Sequence, residues 1–160
     1  MMRFVPIAAL AVSMAAPAAA QQMAPADYVA AAGASDLYEK TSSQLVLQST
    51  KNAKIRSFAQ MMVGDHNKST AMVKSAATKS GVRPTPPVLT PAQNEMVAQL
   101  RSATGEARDQ AYVTQQRTAH EQALALHQGY TTNGSAEPLK AAAAKIVPVV
   151  QHHIEMLQNM

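Results

Sequence analysis

The chain contains no cysteine and no tryptophan. Without thiols it can form no disulfide, no thiolate metal site and no cysteine nucleophile, and a lipid anchor on a processed N-terminal cysteine is excluded too. Aromatics are limited to four tyrosines and two phenylalanines, so the material that strands prefer is thin. Charge of one sign is also lacking: the formal net charge is +4, and Arg3 supplies one of those charges. Basic and acidic residues alternate along the chain, and no basic stripe interleaved with aromatics appears, so nucleic-acid binding is not expected. No glycine-rich phosphate loop surrounds Gly64 or Gly81, and no serine sits in a nucleophile elbow.

What is plentiful is Ala, Gln, Met and Lys, all good helix formers. The first twenty residues read as an export signal. Met1-Met2-Arg3 is a short positive start, and Phe4 to Ala16 is apolar. Ala18-Ala19-Ala20 then offers the small-x-small pattern of a cleavage site, with Gln21 opening the mature chain. The apolar run is about 13 residues, too short to cross a bilayer at ~1.5 Å per residue. The expectation is a periplasmic protein whose mature part, residues 21–160, is one domain that does not span a membrane.

Helical periodicity covers that part. A first helix is expected from Asp27, as N-cap, to Ser49, with the face Val29, Ala32, Asp36, Glu39, Ser43, Val46. A second runs from Asn52 to Lys79 on the face Ile55, Phe58, Ala59, Met62, His66, Ser69, Val73, Ala76, and Gly81 stops it. The proline-rich stretch Val82 to Leu89 cannot be helical. Thr90-Pro91 starts a short helix ending near Gly105. A long helix follows from Glu106 to Thr131, with Tyr112, Val113, Gln116, His120, Ala123, Leu124 and His127 inward. The last, capped by Ser135, carries Leu139, Ala142, Ala143, Ile146, Val150, His153 and Leu157, and Pro148 should kink it. Four long helices with a long connection between the second and third predict an all-α, ferritin-like antiparallel four-helix bundle with a crossover.

Three histidines fall on the inward faces of three different helices: His66, His120 and His153, with Glu39 on the matching face of the first. Inward side chains at matched heights are how bundles build metal sites, and imidazole with carboxylate suits zinc, iron or copper. Asp65, Glu121 and His127 are candidate supporting groups around such a site. The competing reading is that these histidines are core polar groups satisfied by neighbours such as Ser43, Tyr112 and Gln116. Di-iron bundles place Glu three residues before each ligand histidine; here those positions are Val63, Arg117 and Val150, so a standard di-iron centre is not expected. An oxidase or catalase-like activity lacks its carboxylates for the same reason. Asp36 and Glu39 serve equally well as a solvated edge. Met61, Met62, Met72 and Met156 sit where methionine is a common core filler, and His152 with Glu155 reads as a surface pair.

Several segments resemble a bacterial family of unknown function with a ferritin-like four-helix fold, whose members are often described as periplasmic or outer-membrane proteins. They are Ser35-Asp36-Leu37-Tyr38-Glu39, the run from Ile55 through Phe58-Ala59-Gln60-Met61-Met62 to Asp65-His66, His120-Glu121-Gln122-Ala123-Leu124, and Val147-Pro148 through His152-His153. The resemblance implies that Glu39, Asp65, His66, His120 and His153 occupy recurring polar positions. This chain departs from the family with Arg117 and Ala143, where larger apolar residues are usual. The family has no settled activity. The functional expectation is therefore a metal-binding or metal-handling bundle of the cell envelope, active under stress, against a non-metal structural or interaction module.

Overall fold

The computed structural model describes residues 22–160; the expected export signal and its cleavage position lie outside them. Five helices follow in order: α1 (Pro25–Leu47), α2 (Ala53–Lys79), α3 (Pro91–Ser102), α4 (Gly105–Asn133) and α5 (Glu137–Gln158), with no strand among the described residues. None of these helices is long and apolar enough to cross a membrane.

Local chemistry explains the boundaries. The Asn52 side chain accepts from the Lys54 and Ile55 amides and caps α2. Thr90 and Gln93 form a reciprocal capping box at α3, with Pro91 in its first turn. Two expected caps are corrected. The chain enters α1 at Ala24, because Pro25 already has the helical φ, and Asp27 sits inside the first turn. Its carboxylate there complements the helix dipole without capping a backbone amide. Likewise α5 starts from Ala136 with no side-chain cap, and Pro138 in the first turn does the work expected of Ser135. Gly105 does not close α3; it opens α4 at φ +54°, a left-handed conformation that turns the chain sharply between the helices. The helix α5 continues through Pro148, which lies on its exposed side.

The four long helices form a ring in which α1 packs on α2, α2 on α5, α5 on α4 and α4 on α1. Tight turns make α1/α2 and α4/α5 antiparallel pairs. At one end, Tyr28 early in α1 meets His127 late in α4; at the other, Ser43 late in α1 meets Tyr112 early in α4. Thus α1 and α4 are antiparallel, and α2 and α4 run the same way. Such a pair needs the long crossover that residues 80–90 and α3 supply, with α3 lying against α1 and α4. The proline strap lies close to α1 at Gly33: a Cβ there would stand 3.2 Å from the Pro87 Cβ. Glycine in mid-helix costs ~1 kcal/mol relative to alanine, and here it lets the strap lie close.

The core is divided. One apolar cluster gathers Tyr28, Val73, Leu139, Ile146 and Val150. A second gathers Val46, Ile55, Phe58, Met62, Leu100 and Leu157 towards the opposite end. Between them lies a buried polar layer containing Asp36, Glu39, His66, His120 and His153. Charged and polar groups at that depth are tolerated only when paired or bonded, so the layer marks the place to look for function.

Candidate metal centre

Each histidine of the layer comes from a separate helix: His66 from α2, His120 from α4 and His153 from α5. All three are buried, with 4%, 0% and 1% of their surface exposed. Their ring centroids form a nearly equilateral triangle of 5.9, 5.7 and 5.3 Å sides. Phe58 stands edge-on to His153 and tilted to His120, and separates the triangle from the lower apolar cluster.

The outer hydrogen bonds decide which nitrogen of each ring carries a proton. His120 Nδ1 lies 2.8 Å from the Gln116 carbonyl oxygen, which can only accept, so Nδ1 donates and Nε2 is left bare. His153 Nε2 lies 3.3 Å from Asp65 Oδ2. Burial alone would raise Asp65, but Lys68 and His153 hold it below the ordinary carboxylate value, so it accepts from Nε2–H and leaves Nδ1 bare. His66 Nδ1 meets two carboxylates, Asp36 Oδ1 at 2.8 Å and Glu39 Oε2 at 3.1 Å, and donates to them. Its Nε2 is buried with no hydrogen-bond partner.

Two lone pairs, on His120 Nε2 and His153 Nδ1, are thus turned towards one another, while His66, held towards its charged form by Asp36 and Glu39, has to release its Nε2 proton to bind a cation. His120 Nε2 and His153 Nδ1 are 3.3 Å apart, a hydrogen-bond distance between two atoms with no hydrogen to share. Burial pushes His120 down to about 3, helped by the positive charge of His66. It pushes His153 down to about 4, so neither takes up an extra proton at neutral pH. A cation relieves this contact. Two nitrogens bound at ~2.0–2.1 Å to a tetrahedral ion stand about 3.3 Å apart. One ring nitrogen from each of the three histidines lies within 4.8 Å of the others, so closure on one ion needs only small side-chain shifts.

The carboxylates take a different place from the one the sequence suggests. Glu39 is fully buried, but it faces the Nδ1 side of both His66 and His120, at 3.1 and 3.5 Å. It groups with Asp36 and His66 as a separate trio and not with the three histidines. Burial raises Glu39 to about 7, and its Oε1 has no hydrogen-bond partner. For His66, burial acts to depress the ring, but Glu39 and Asp36 outweigh it and raise the ring above its ordinary value. Asp36, expected on a solvated edge, is buried and also accepts from the Thr70 hydroxyl at 2.8 Å. It is the functional residue that sequence reasoning undervalued, although its i, i+3 spacing to Glu39 carried the signal.

Of the expected supporting groups, Asp65 lies against His153 as described. Glu121 is corrected: it is exposed and, among the described residues, makes no hydrogen bond or ion pair. His127 is buried elsewhere, its Nδ1 accepting from the Tyr28 hydroxyl at 2.9 Å, and it belongs to neither trio. A surface concavity of about 730 Å³ lies at the α1–α2 turn and the start of α4 and contains none of these histidines.

The family model described as a domain of unknown function, DUF4142, matches residues 10–160. The chain belongs to that family. Two solved structures share its fold. A DUF305 fragment from Deinococcus radiodurans aligns with a TM-score of 0.72 at 16% identity, covering 84% of this chain and 93% of that one. A DUF305 protein from Streptomyces coelicolor, described as secreted, aligns with a TM-score of 0.66 at 14% identity, covering 84% and 88%. No curated protein matches this DUF4142 chain. At such identities the likeness speaks for the all-α fold alone.

Proposed function

We propose that this DUF4142 protein is an exported, periplasmic metal-binding bundle in which His66, His120 and His153 hold one transition-metal ion. The observation that carries the reading is the convergence of three buried ring nitrogens, two of them proton-free and the third, His66 Nε2, without a hydrogen-bond partner, each ring being fixed by an outer acceptor on its opposite nitrogen. Outer acceptors of this kind set ring orientation and raise the basicity of the ligand nitrogen. Asp65, the Gln116 carbonyl and the Asp36–Glu39 pair fill that role. An all-imidazole inner set suits zinc or copper(II), and the absence of an inner carboxylate argues against the iron facial triad. The ion, once bound, supplies a Lewis-acidic centre and ties three helices together. A role in metal handling under envelope stress is consistent with the export signal and the lack of sulfur ligands.

Metal analysis of the untagged mature protein tests this. We expect about one equivalent of zinc or copper(II) after loading and gel filtration, and none in the triple variant His66→Ala, His120→Ala, His153→Ala. Equal, sub-stoichiometric metal in both would falsify the reading. A structural module without metal has one observation in its favour: His66 already forms a buried ion pair with Asp36 and Glu39. On that reading a chelator leaves the melting temperature unchanged.

A further inference from the structure

A small cavity of about 110 Å³ lies between α2 and α5, and the histidine triangle forms part of its wall. His66 and His153 line it, together with Ser69, Met72, Ile146 and Val150. His120 does not, so the cavity opens on one side of the triangle and leads outwards past Val149. Two of the residues lining it carry a buried polar atom without any hydrogen-bond partner: His66 at Nε2 and Ser69 at Oγ. Ser69 is 8% exposed, and a hydroxyl left unbonded at that depth is destabilising. A group in the cavity that accepts from the Ser69 hydroxyl, once its χ1 turns it inwards, relieves this.

The charges at the rim select the sign of the occupant. Asp65 is paired with Lys68 at 2.9 Å, which compensates its charge, and accepts a hydrogen bond from the neutral His153 ring. Lys145, also on the rim, is exposed and makes no ion pair among the described residues. The surplus at the mouth is positive, while the walls are apolar. A water takes up ~30 Å³ of liquid, so the space holds a few waters or one anion of about three atoms.

Three protein ligands and one coordination position left to an outside group is the pattern of metal sites that react or exchange. We infer that the fourth position of the His66–His120–His153 ion faces this cavity and takes a small monovalent anion, hydroxide or a triatomic species, hydrogen-bonded by Ser69. The inference rests on the proposed metal site and deepens it. The anion reaches the ion between α2 and α5, with Lys145 drawing it in and Val149 bounding the passage.

Cobalt(II) loaded into the full mature chain reports on its fourth ligand by its visible spectrum, and sodium azide is the probe. Metal stoichiometry is measured first, separately from azide. One equivalent of cobalt with a saturable, azide-induced spectral change is expected. Ser69→Leu fills the cavity and should keep the cobalt but weaken azide by about tenfold or more, given the usual cost of overpacking. Should that variant fold poorly, Val149→Trp obstructs the exposed mouth and should give the same loss with the core untouched. Lys145→Glu should weaken azide several-fold at low salt and little at high salt. One equivalent of cobalt with no azide response, or an azide response unchanged in both cavity variants, overturns the inference and leaves the metal site standing. Failure to retain cobalt at all overturns the metal site and the inference with it.

Discussion

His127 and the His66–His120–His153 trio are equally buried, yet only the trio has nitrogens left over. Burial holds the Tyr28 hydroxyl well above the ordinary tyrosine range, so it stays protonated and donates to His127 Nδ1. The neighbouring ring of Tyr130 stacks on Tyr28 at 3.9 Å and packs this corner with carbon. A donor has consumed the lone pair, and His127 is a finished core residue. In the trio every outer partner is an acceptor, so no donor has consumed an inner nitrogen: those of His120 and His153 are left to accept, and that of His66 has only a proton to give up. Depth in the core does not separate a ligand from a packing residue; the polarity of the partner on the far nitrogen does.

The sharpest way to break this contrast is to remove one histidine from each place. His120→Ala should abolish stoichiometric metal, while His127→Ala should retain one equivalent. Metal held at ~1,000 times its dissociation constant adds about 4 kcal/mol to stability. For a domain of this size that is on the order of 10 °C in melting temperature. Differential scanning calorimetry with and without chelator should show that shift in the wild type and in His127→Ala, and no shift in His120→Ala. A chelator-sensitive melt in His120→Ala would erase the distinction.

Acid offers the next largest effect. Burial lowers His127 to about 4 from 6.5, so it is neutral when folded and takes a proton when unfolded. Its contribution is complete above pH 6.5 and is lost as pH falls towards 4, by up to about 3 kcal/mol. Urea titrations of the metal-free protein should show the wild type losing more stability over that window than His127→Gln. Parallel pH profiles for the two would mean that His127 titrates normally in the fold.

Asp65 and Glu121 sharpen the comparison further, since each adjoins a trio histidine in sequence. Asp65→Ala should weaken metal binding about 10–100-fold, the usual loss when an outer carboxylate is removed. Glu121→Ala should leave it unchanged by competition titration, and equal effects would remove the role given to Asp65. The smallest change is expected at the crossover. Thr90→Ala breaks the α3 capping box and should cost about 1 kcal/mol in thermal unfolding with no change in metal stoichiometry.

Much of this fold could be read in the chain. The face Ile55, Phe58, Ala59, Met62, His66, Ser69, Val73, Ala76 is buried throughout, because one strong helical period was interrupted by nothing. The α5 face from Leu139 to Leu157 is buried in the same way. The site was legible only in part. Periodicity gives the side of a helix a residue lies on, but not its height: His120 and His127 share a face yet stand ~10 Å apart along the axis at 1.5 Å per residue. It is also silent on which nitrogen of a ring faces inwards, so the outer position of Glu39 and the contribution of Asp36 needed the packed helices. Asp65 and Glu121 look equivalent from adjacency alone. One falls beside α5 and the other into water because it is the neighbouring helix, not the sequence neighbour, that fixes what a flanking residue meets.

The contact between Gly33 and Pro87 bears on the outer rim of this arrangement. Asp36, one turn along α1, forms part of the wall of a groove of about 410 Å³ roofed by Pro84, Pro86 and Pro87. A single hydrogen in place of a methyl at position 33 therefore lets the proline strap close against α1 beside the residue that steers His66. A Cβ at that position would press on Pro87 and make it give by a few tenths of an ångström. The seating of the crossover beside the histidine layer is in this sense set from the bundle's exterior, by the smallest residue in the chain.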